Sequence, residues 1–340
     1  MNRPANVLVA ALLHAAERSD KKLALTDLEQ RLLEAVAPYL PAGELGGVGR
    51  VYREAVSRGP VEFLPEEVTS LPLETGYSLA DFRAAVPGIA EHTITQPNVR
   101  VVDLSALGDD EPVNNEAFSE AMAEYGRGTT IVTSSAAQQD AGVASVNARV
   151  RMFAFQSIRG SDEVGADEIY WAVASGSDLQ AERSFKTQDF GDCYLYHWKD
   201  FPAGTYLFDG QMDQHVSCEI QCWERDGSPG EFYDGLRSAL KDFAEWAIDL
   251  SVDLTKAGDD DAKKAAGWTA FFAIGAGLLN AILGWFINND DFVSEQSIGF
   301  TRAGLAALAA RPRGIATYTF NGGTEGAFDL ELKWEGGAIG

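Results

Sequence analysis

From Ala265 to Asn289 the chain carries no charged residue. The centre of this run, GWTAFFAIGAGLLNAILGWFI (267–287), has only Thr269 and Asn280 as polar side chains. As a helix it is about 31 Å long, enough to cross the hydrocarbon of a bilayer. Trp268 and Trp285 stand near its two ends, where interfacial tryptophan is favoured. Ala266, Ala270, Ala273, Gly277, Ala281 and Gly284 recur at spacings of three and four and line one seam. A seam of small residues lets helix backbones approach closely, the basis of glycine-zipper association in membranes. Charge brackets the run on both sides, as DDDAKK (259–264) and NNDD (288–291). Three fates fit this pattern: permanent burial as a core helix or a hairpin broken at GAG, storage in a soluble fold followed by insertion into lipid, or constant anchoring.

The rest of the chain is unlike a membrane protein. Among 340 residues, 27 are basic and 51 acidic, a formal net charge of −24. Phosphate recognition needs a basic stripe, so an extended nucleic-acid surface is excluded. With 46% hydrophobic residues the chain has material for a packed core. The three cysteines, Cys193, Cys218 and Cys222, are an odd set and form no disulfide framework. In VSCEIQCWERD, alternation places Val216, Cys218, Ile220 and Cys222 on one face of a strand, as buried thiols. MNRPANVLVAALLHAAERSD mimics a signal peptide, but His14 interrupts it and no clean cleavage site follows; it is expected to be an amphipathic helix. The expected localisation is therefore a bacterial cytoplasm without a Sec signal, with any export or injection by a non-Sec route.

Periodicity predicts an α+β fold. A mainly helical or mixed N-terminal region covers 1–130. An antiparallel β-sandwich covers 131–340, with helices inserted at 232–250 and 265–287, the second a long apolar helix or helical hairpin. Leu28, Leu32, Leu33 and Val36 form a helical stripe, with Thr26 and Glu29 as a capping box. GELGGVGR (43–50) is glycine-rich but has no strand before it and no Lys-Ser/Thr after it, so it is a poor phosphate loop. Five prolines predict loops and short elements over 59–98. VRVVDLSAL (99–107) predicts a strand and NNEAFSEAMAEY (114–125) a short helix. Strands follow at 149–157, 168–175, 193–201, 205–210 and 215–224, and a hairpin at 314–320 and 326–334 around NGGTEG.

Acids cluster at predicted strand ends. Asp162, Asp167, Asp226, Asp290 and Asp291 are candidate Ca²⁺ ligands, a hard cation that takes oxygens from several loops. No organic cofactor is called for. HExxH, GxSxG, CxxC and Walker patterns are absent from the sequence, so no catalytic residue is assigned. Cys193 and His197 are too far apart on a strand to form a nucleophile pair. Glu219 and Glu224, as paired carboxylates, fall on opposite strand faces.

SDEVGADEIYW (161–171), CEIQCWERDGS (218–228), the apolar Gly/Ala stretch and WFINNDDFVSEQSIGFTRAGL (285–305) follow one another in an order that resembles poorly characterised bacterial β-sandwich proteins of C2-like type. In these a glycine-rich apolar segment is followed by Asp-Asp. The resemblance covers about 150–335, implies a secreted or injected effector class, and brings no catalytic residues. The expected function is a non-enzymatic, membrane-active, toxin- or effector-like protein. It would shield its apolar helix in soluble form and insert it into a lipid bilayer to form pores by self-association. The alternatives are a soluble assembly protein with a permanently buried apolar helix, and a calcium-dependent lipid-binding module.

Overall fold

The computed structural model describes residues 6–37, 43–136, 145–161, 167–179, 181–225, 291–337 and 339. These fall into two compact units, one up to Gln96 and one from Pro97. The inserted helices expected at 232–250 and 265–287 lie outside the described residues. Among the described residues no helix is long and apolar enough to cross a membrane.

The first unit is helical. Its helices are α1 (Val7–Asp20), α2 (Asp27–Val36), α3 (Glu44–Ser57), α4 (Glu66–Thr69) and α5 (Leu79–Thr93). Helix α1 is central and buries Val7, Leu8, Ala10, Ala11, Leu12, Ala15 and Ala16, while packing on α2, α3 and α4. His14, which breaks the apolar run in sequence, is buried too, with its Nε2 2.9 Å from the Thr75 carbonyl oxygen. The leucine stripe of α2 is buried as expected, and Thr26 and Glu29 form the capping box. Glu29 also accepts Arg18 Nε at 3.2 Å and the Tyr77 amide at 3.0 Å. The Arg18 guanidinium is tied in turn to the Leu73 and Ala24 carbonyls.

The glycine-rich stretch 43–50 is largely helical, with Gly46, Gly47 and Gly49 inside α3. A Cβ on Gly49 would sit 2.4 Å from the Glu17 backbone nitrogen, so glycine is there to let α3 lie directly on α1. Residues 79–93 are a helix despite Pro87, where loops were expected. Gly49→Ala is expected to cost about 1–3 kcal/mol, as overpacking against backbone does. Amide exchange on the full chain checks this, with protection falling in α1 and α3 and unchanged in the second unit.

The second unit is built from two sheets. In chain order its elements are β1 (Val99–Asp103), α6 (Glu116–Tyr125), β2 (Arg127–Thr133), β3 (Val146–Arg159), β4 (Asp167–Ser177), β5 (Ala181–Lys186), β6 (Asp192–Cys193), β7 (Trp198–Asp200), β8 (Tyr206–Met212), β9 (His215–Glu224), β10 (Asp291–Thr301), α7 (Arg302–Ala310), β11 (Ile315–Asn321) and β12 (Ala327–Trp334). The large sheet runs β1-β2-β10-β9-β4-β5, with β6 also on β4. The small sheet runs β11-β12-β3-β7, with β8 also on β3. One core lies between them. The Trp171 ring of β4 meets Phe320 of β11 at 5.0 Å and Phe155 of β3 at 5.5 Å, both edge-on. Phe328, Leu330, Leu332 and Trp334 point into this core from β12, as alternation predicts.

The large sheet is not wholly antiparallel: β1, β2 and β10 run parallel to one another. Parallel neighbours need a crossover, and α6 supplies the one between β1 and β2. The sequence division at 130 falls inside β2, whereas the compact units divide after Gln96. The single strand expected at 193–201 is two short ones, β6 and β7, separated by an exposed turn.

Candidate functional site

Strand β9 is buried at all ten of its positions. One face points between the sheets and carries Val216, Cys218, Ile220 and Cys222. Burial holds the Cys218 and Cys222 thiols well above their ordinary pKa, and pushes Cys193 up to about 11. All three cysteines are free and buried, so as thiols they are packing groups.

The opposite face of β9 is different. It presents Ser217, Glu219, Gln221 and Trp223, all buried. In the antiparallel ladder Ser297 of β10 lies opposite Glu219, and Glu295 lies opposite Gln221. The two glutamates are therefore diagonal neighbours on one face, both completely buried. Ser297 Oγ donates to Glu219 Oε2 at 2.5 Å. Trp223 Nε1 donates to Gln221 Oε1 at 3.1 Å, and Gln221 Nε2 donates to Glu295 Oε2 at 3.3 Å. Arg127 of β2 lies opposite Glu295 across the parallel ladder.

Burial raises the Glu219 pKa well above the ordinary carboxyl value. The charge of Glu295 adds to the rise, while Ser297 and Arg127 oppose it. Chemically this is a carboxyl pair suited to sharing a proton in a water-poor strip. Alternation along β9 does not reveal the pair, since the other acid nearby in sequence, Glu224, faces the other way. The available signal was the alternation of Glu295, Ser297 and Gly299 in VSEQSIGFT, which places the acid and the serine on one side of a strand. A second polar group on the other face of β10 is self-contained. Gln296 Nε2 donates to Thr130 Oγ1 at 2.6 Å, and Asn114 Nδ2 donates to Gln296 Oε1 at 3.2 Å and to the Thr319 carbonyl at 3.0 Å.

Among the expected site residues, the seam Ala266, Ala270, Ala273, Gly277, Ala281 and Gly284, together with Trp268 and Trp285, lies outside the described residues. So do Asp162, Asp226 and Asp290. Asp167 is buried at the start of β4 and accepts Ser161 Oγ at 2.9 Å. Asp291 opens β10 opposite Glu224, which in turn lies opposite Ile169. Asp167 itself lies opposite Cys193. The start of β4, the end of β9, the start of β10 and the end of β6 therefore meet at one end of the large sheet. Among the described residues no group of three or more His, Cys, Asp or Glu side chains is arranged to hold a metal ion.

No family model matches the chain, and no curated protein matches it. Among solved structures, human GIVD cytosolic phospholipase A2 in complex with methyl gamma-linolenyl fluorophosphonate inhibitor and terbium chloride is similar at TM-score 0.26 and 11% identity, over 57% of this chain and 18% of that one. A second structure of that protein, with methyl gamma-linolenyl fluorophosphonate, gives TM-score 0.24 and 11% identity over 56% and 17%. The chain thus spans less than a fifth of that protein's length. Similarity at this level does not define a shared fold.

A raised folded-state pKa means that the native state binds the proton more tightly than the unfolded chain. The contribution of Glu219 to stability is complete below its unfolded pKa and is lost as pH rises through its folded one. Glu219→Gln removes the ionisable group and keeps its shape. It is expected to raise the thermal midpoint at pH 8 by about 5 °C, from about 2 kcal/mol of relieved burial. At pH 4 it is expected to leave the midpoint unchanged. Calorimetry at the two pH values checks both.

Proposed function

We propose that this is a non-enzymatic, membrane-active protein that shields the 265–287 run in soluble form and delivers it to a lipid bilayer. One observation carries the reading. The run lies in the connection between β9 and β10, and the residues bounding that connection, Glu224 and Asp291, are ladder partners. The connection leaves and returns at one point on the sheet. On either side the ladder is complete without it, with β9 paired to β4 and β10 to β2. A segment tethered in this way can change place without breaking the pairing of β9 with β4 or of β10 with β2, as a soluble-to-inserted transition requires. The insertion reading also fits the small-residue seam, which supports self-association only once the helix is among other helices in lipid.

Dye release from liposomes tests the reading. The wild-type chain is expected to cause leakage. Gly277→Leu, which fills the seam, is expected to bind vesicles equally but to leak at least about tenfold less. Absence of leakage at every pH and calcium level, with 265–287 protected from protease throughout, would overturn insertion in favour of permanent burial.

Calcium-dependent lipid binding is the alternative reading; it rests on the acids at the strand ends, although among the described residues no three of them are arranged to hold a metal ion. Under it, millimolar calcium raises the thermal midpoint and Asp291→Asn removes the rise. An unchanged wild-type midpoint removes the ion from the mechanism.

A further inference from the structure

Between the buried Cys193 of β6 and the buried Phe201, five consecutive residues, Tyr194, Leu195, Tyr196, His197 and Trp198, are exposed. Tyr194 is 55% exposed, Leu195 50%, Tyr196 69% and Trp198 47%. Four large apolar side chains are exposed in this one five-residue stretch, and the Tyr194 and His197 rings meet edge-on at 6.1 Å. The backbone beneath them is held firmly. The Tyr196 amide donates to the Ser157 carbonyl of β3 at 2.7 Å, Leu195 bridges to Ser157, and the His197 amide donates to the Tyr194 carbonyl at 3.1 Å. Tyr196 has φ +61°, a left-handed conformation that residues with a Cβ adopt only at a free-energy cost. Strain of this kind persists where the surrounding structure enforces it, and here it turns the chain so that the apolar side chains face solvent.

We infer that the 194–198 turn is a docking surface for a zwitterionic, phosphatidylcholine-type bilayer. The side chains are mostly amphipathic rings, two phenols, an indole and an imidazole, which favour the headgroup level over the hydrocarbon. Charge selects the headgroup. The turn has no exposed Lys or Arg, and Lys199 Nζ is engaged by the Phe190 carbonyl. Asp192, which accepts the Tyr194 hydroxyl at 3.0 Å, and Asp200 flank the turn. Anionic lipid is repelled by this surface and by the net −24 of the chain. A trimethylammonium headgroup, by contrast, is bound by aromatic faces beside acids. The turn also stands at the right end of the molecule. Cys193 lies opposite Asp167 at the start of β4, at the same end of the sheet where Glu224 and Asp291 bound the apolar connection. The turn thus stands at the end of the large sheet where β9 ends and β10 begins. This inference deepens the insertion reading by naming its lipid contact, and rests on it for that role.

Vesicle flotation of the full chain tests it, with phosphatidylcholine, phosphatidylethanolamine and phosphatidylglycerol vesicles. The wild type is expected to float best with phosphatidylcholine and least with phosphatidylglycerol. Tyr194→Ser/Tyr196→Ser/Trp198→Ser is expected to lose at least about tenfold of its binding. Leu179→Ser, at another exposed apolar site, serves as the control and is expected to bind as the wild type. Tyr196→Gly, which accepts the left-handed turn and lacks only the ring, is expected to bind several-fold less while amide exchange around Ser157 stays intact. Equal flotation of the triple variant and the wild type on phosphatidylcholine, or binding that grows with phosphatidylglycerol, would overturn the docking surface. Leakage that survives in the triple variant overturns docking and leaves insertion standing. Turn-dependent binding with no leakage by the wild type does the reverse.

Discussion

The second unit depends on a strand that is sealed on both faces. With β10 on one edge and β4 on the other, β9 satisfies its backbone groups within the ladder. Its inner face is apolar and meets the small sheet across the core. Its outer face is polar yet equally removed from water, so each donor and acceptor there needs a partner from the same strip. The partners are mostly neutral: Ser297, Gln221 and Trp223. Burial and the neighbouring Glu295 outweigh Ser297 and Arg127, and so raise the Glu219 pKa well above the ordinary carboxyl value. The arrangement also fixes the register. A slip of one residue would drive Glu219 and Gln221 between the sheets, towards Trp171 and Phe320, and bring Cys218 and Ile220 into the polar strip.

The two ends of the large sheet differ in how they are closed. Where β10 finishes, Thr301 caps α7 by accepting the Gly304 amide at 3.0 Å, and a Cβ on Gly304 would lie 2.3 Å from the Val132 carbonyl oxygen. Helix and sheet are in direct backbone contact there, and that end is a closed, structural one. At the other end the β4, β6, β9 and β10 termini meet, the apolar connection departs and returns, and the aromatic turn stands in solvent. The sheet thus has close backbone contact at one end and exposed apolar side chains near the other.

Much of this was legible in the sequence because the relevant forces are local. Alternation in 149–157, 168–175, 215–224 and 326–334 marks strands half or wholly buried, and those strands are present. The capping box at Thr26 and the stripe through Val36 needed only short-range chemistry, and both hold. What escaped was set by distant partners. The β-branched run Thr129–Thr133 is a local strand signal, but its partners β1 and β10, the latter more than a hundred residues away, are not visible from it. Gly49 is a helix residue only because α1 lies against it. The break in 193–201 comes from the anchoring of Tyr196 to Ser157 of β3, which the alternating pattern of the stretch conceals. The carboxyl pair shares this origin, since Glu219 and Glu295 become neighbours only through a ladder between residues separated by the whole apolar connection.

That separation also sets an order of events during synthesis. The last central strand of the large sheet, β10, is made after the apolar run, so the run leaves the ribosome while β2 and β9 still lack their shared neighbour. Until residue 301 is available, β9 has one open edge, and the parallel pairing of β10 with β2 must close a loop spanning more than a hundred residues. Non-local closure of this kind is slow and leaves strand edges and apolar surface exposed in the interval. The nascent chain therefore passes through a stage in which its most lipid-compatible segment is complete and the sheet that flanks it is not. Its fate at that stage is decided by the relative speed of sheet closure and of encounter with a membrane or a chaperone.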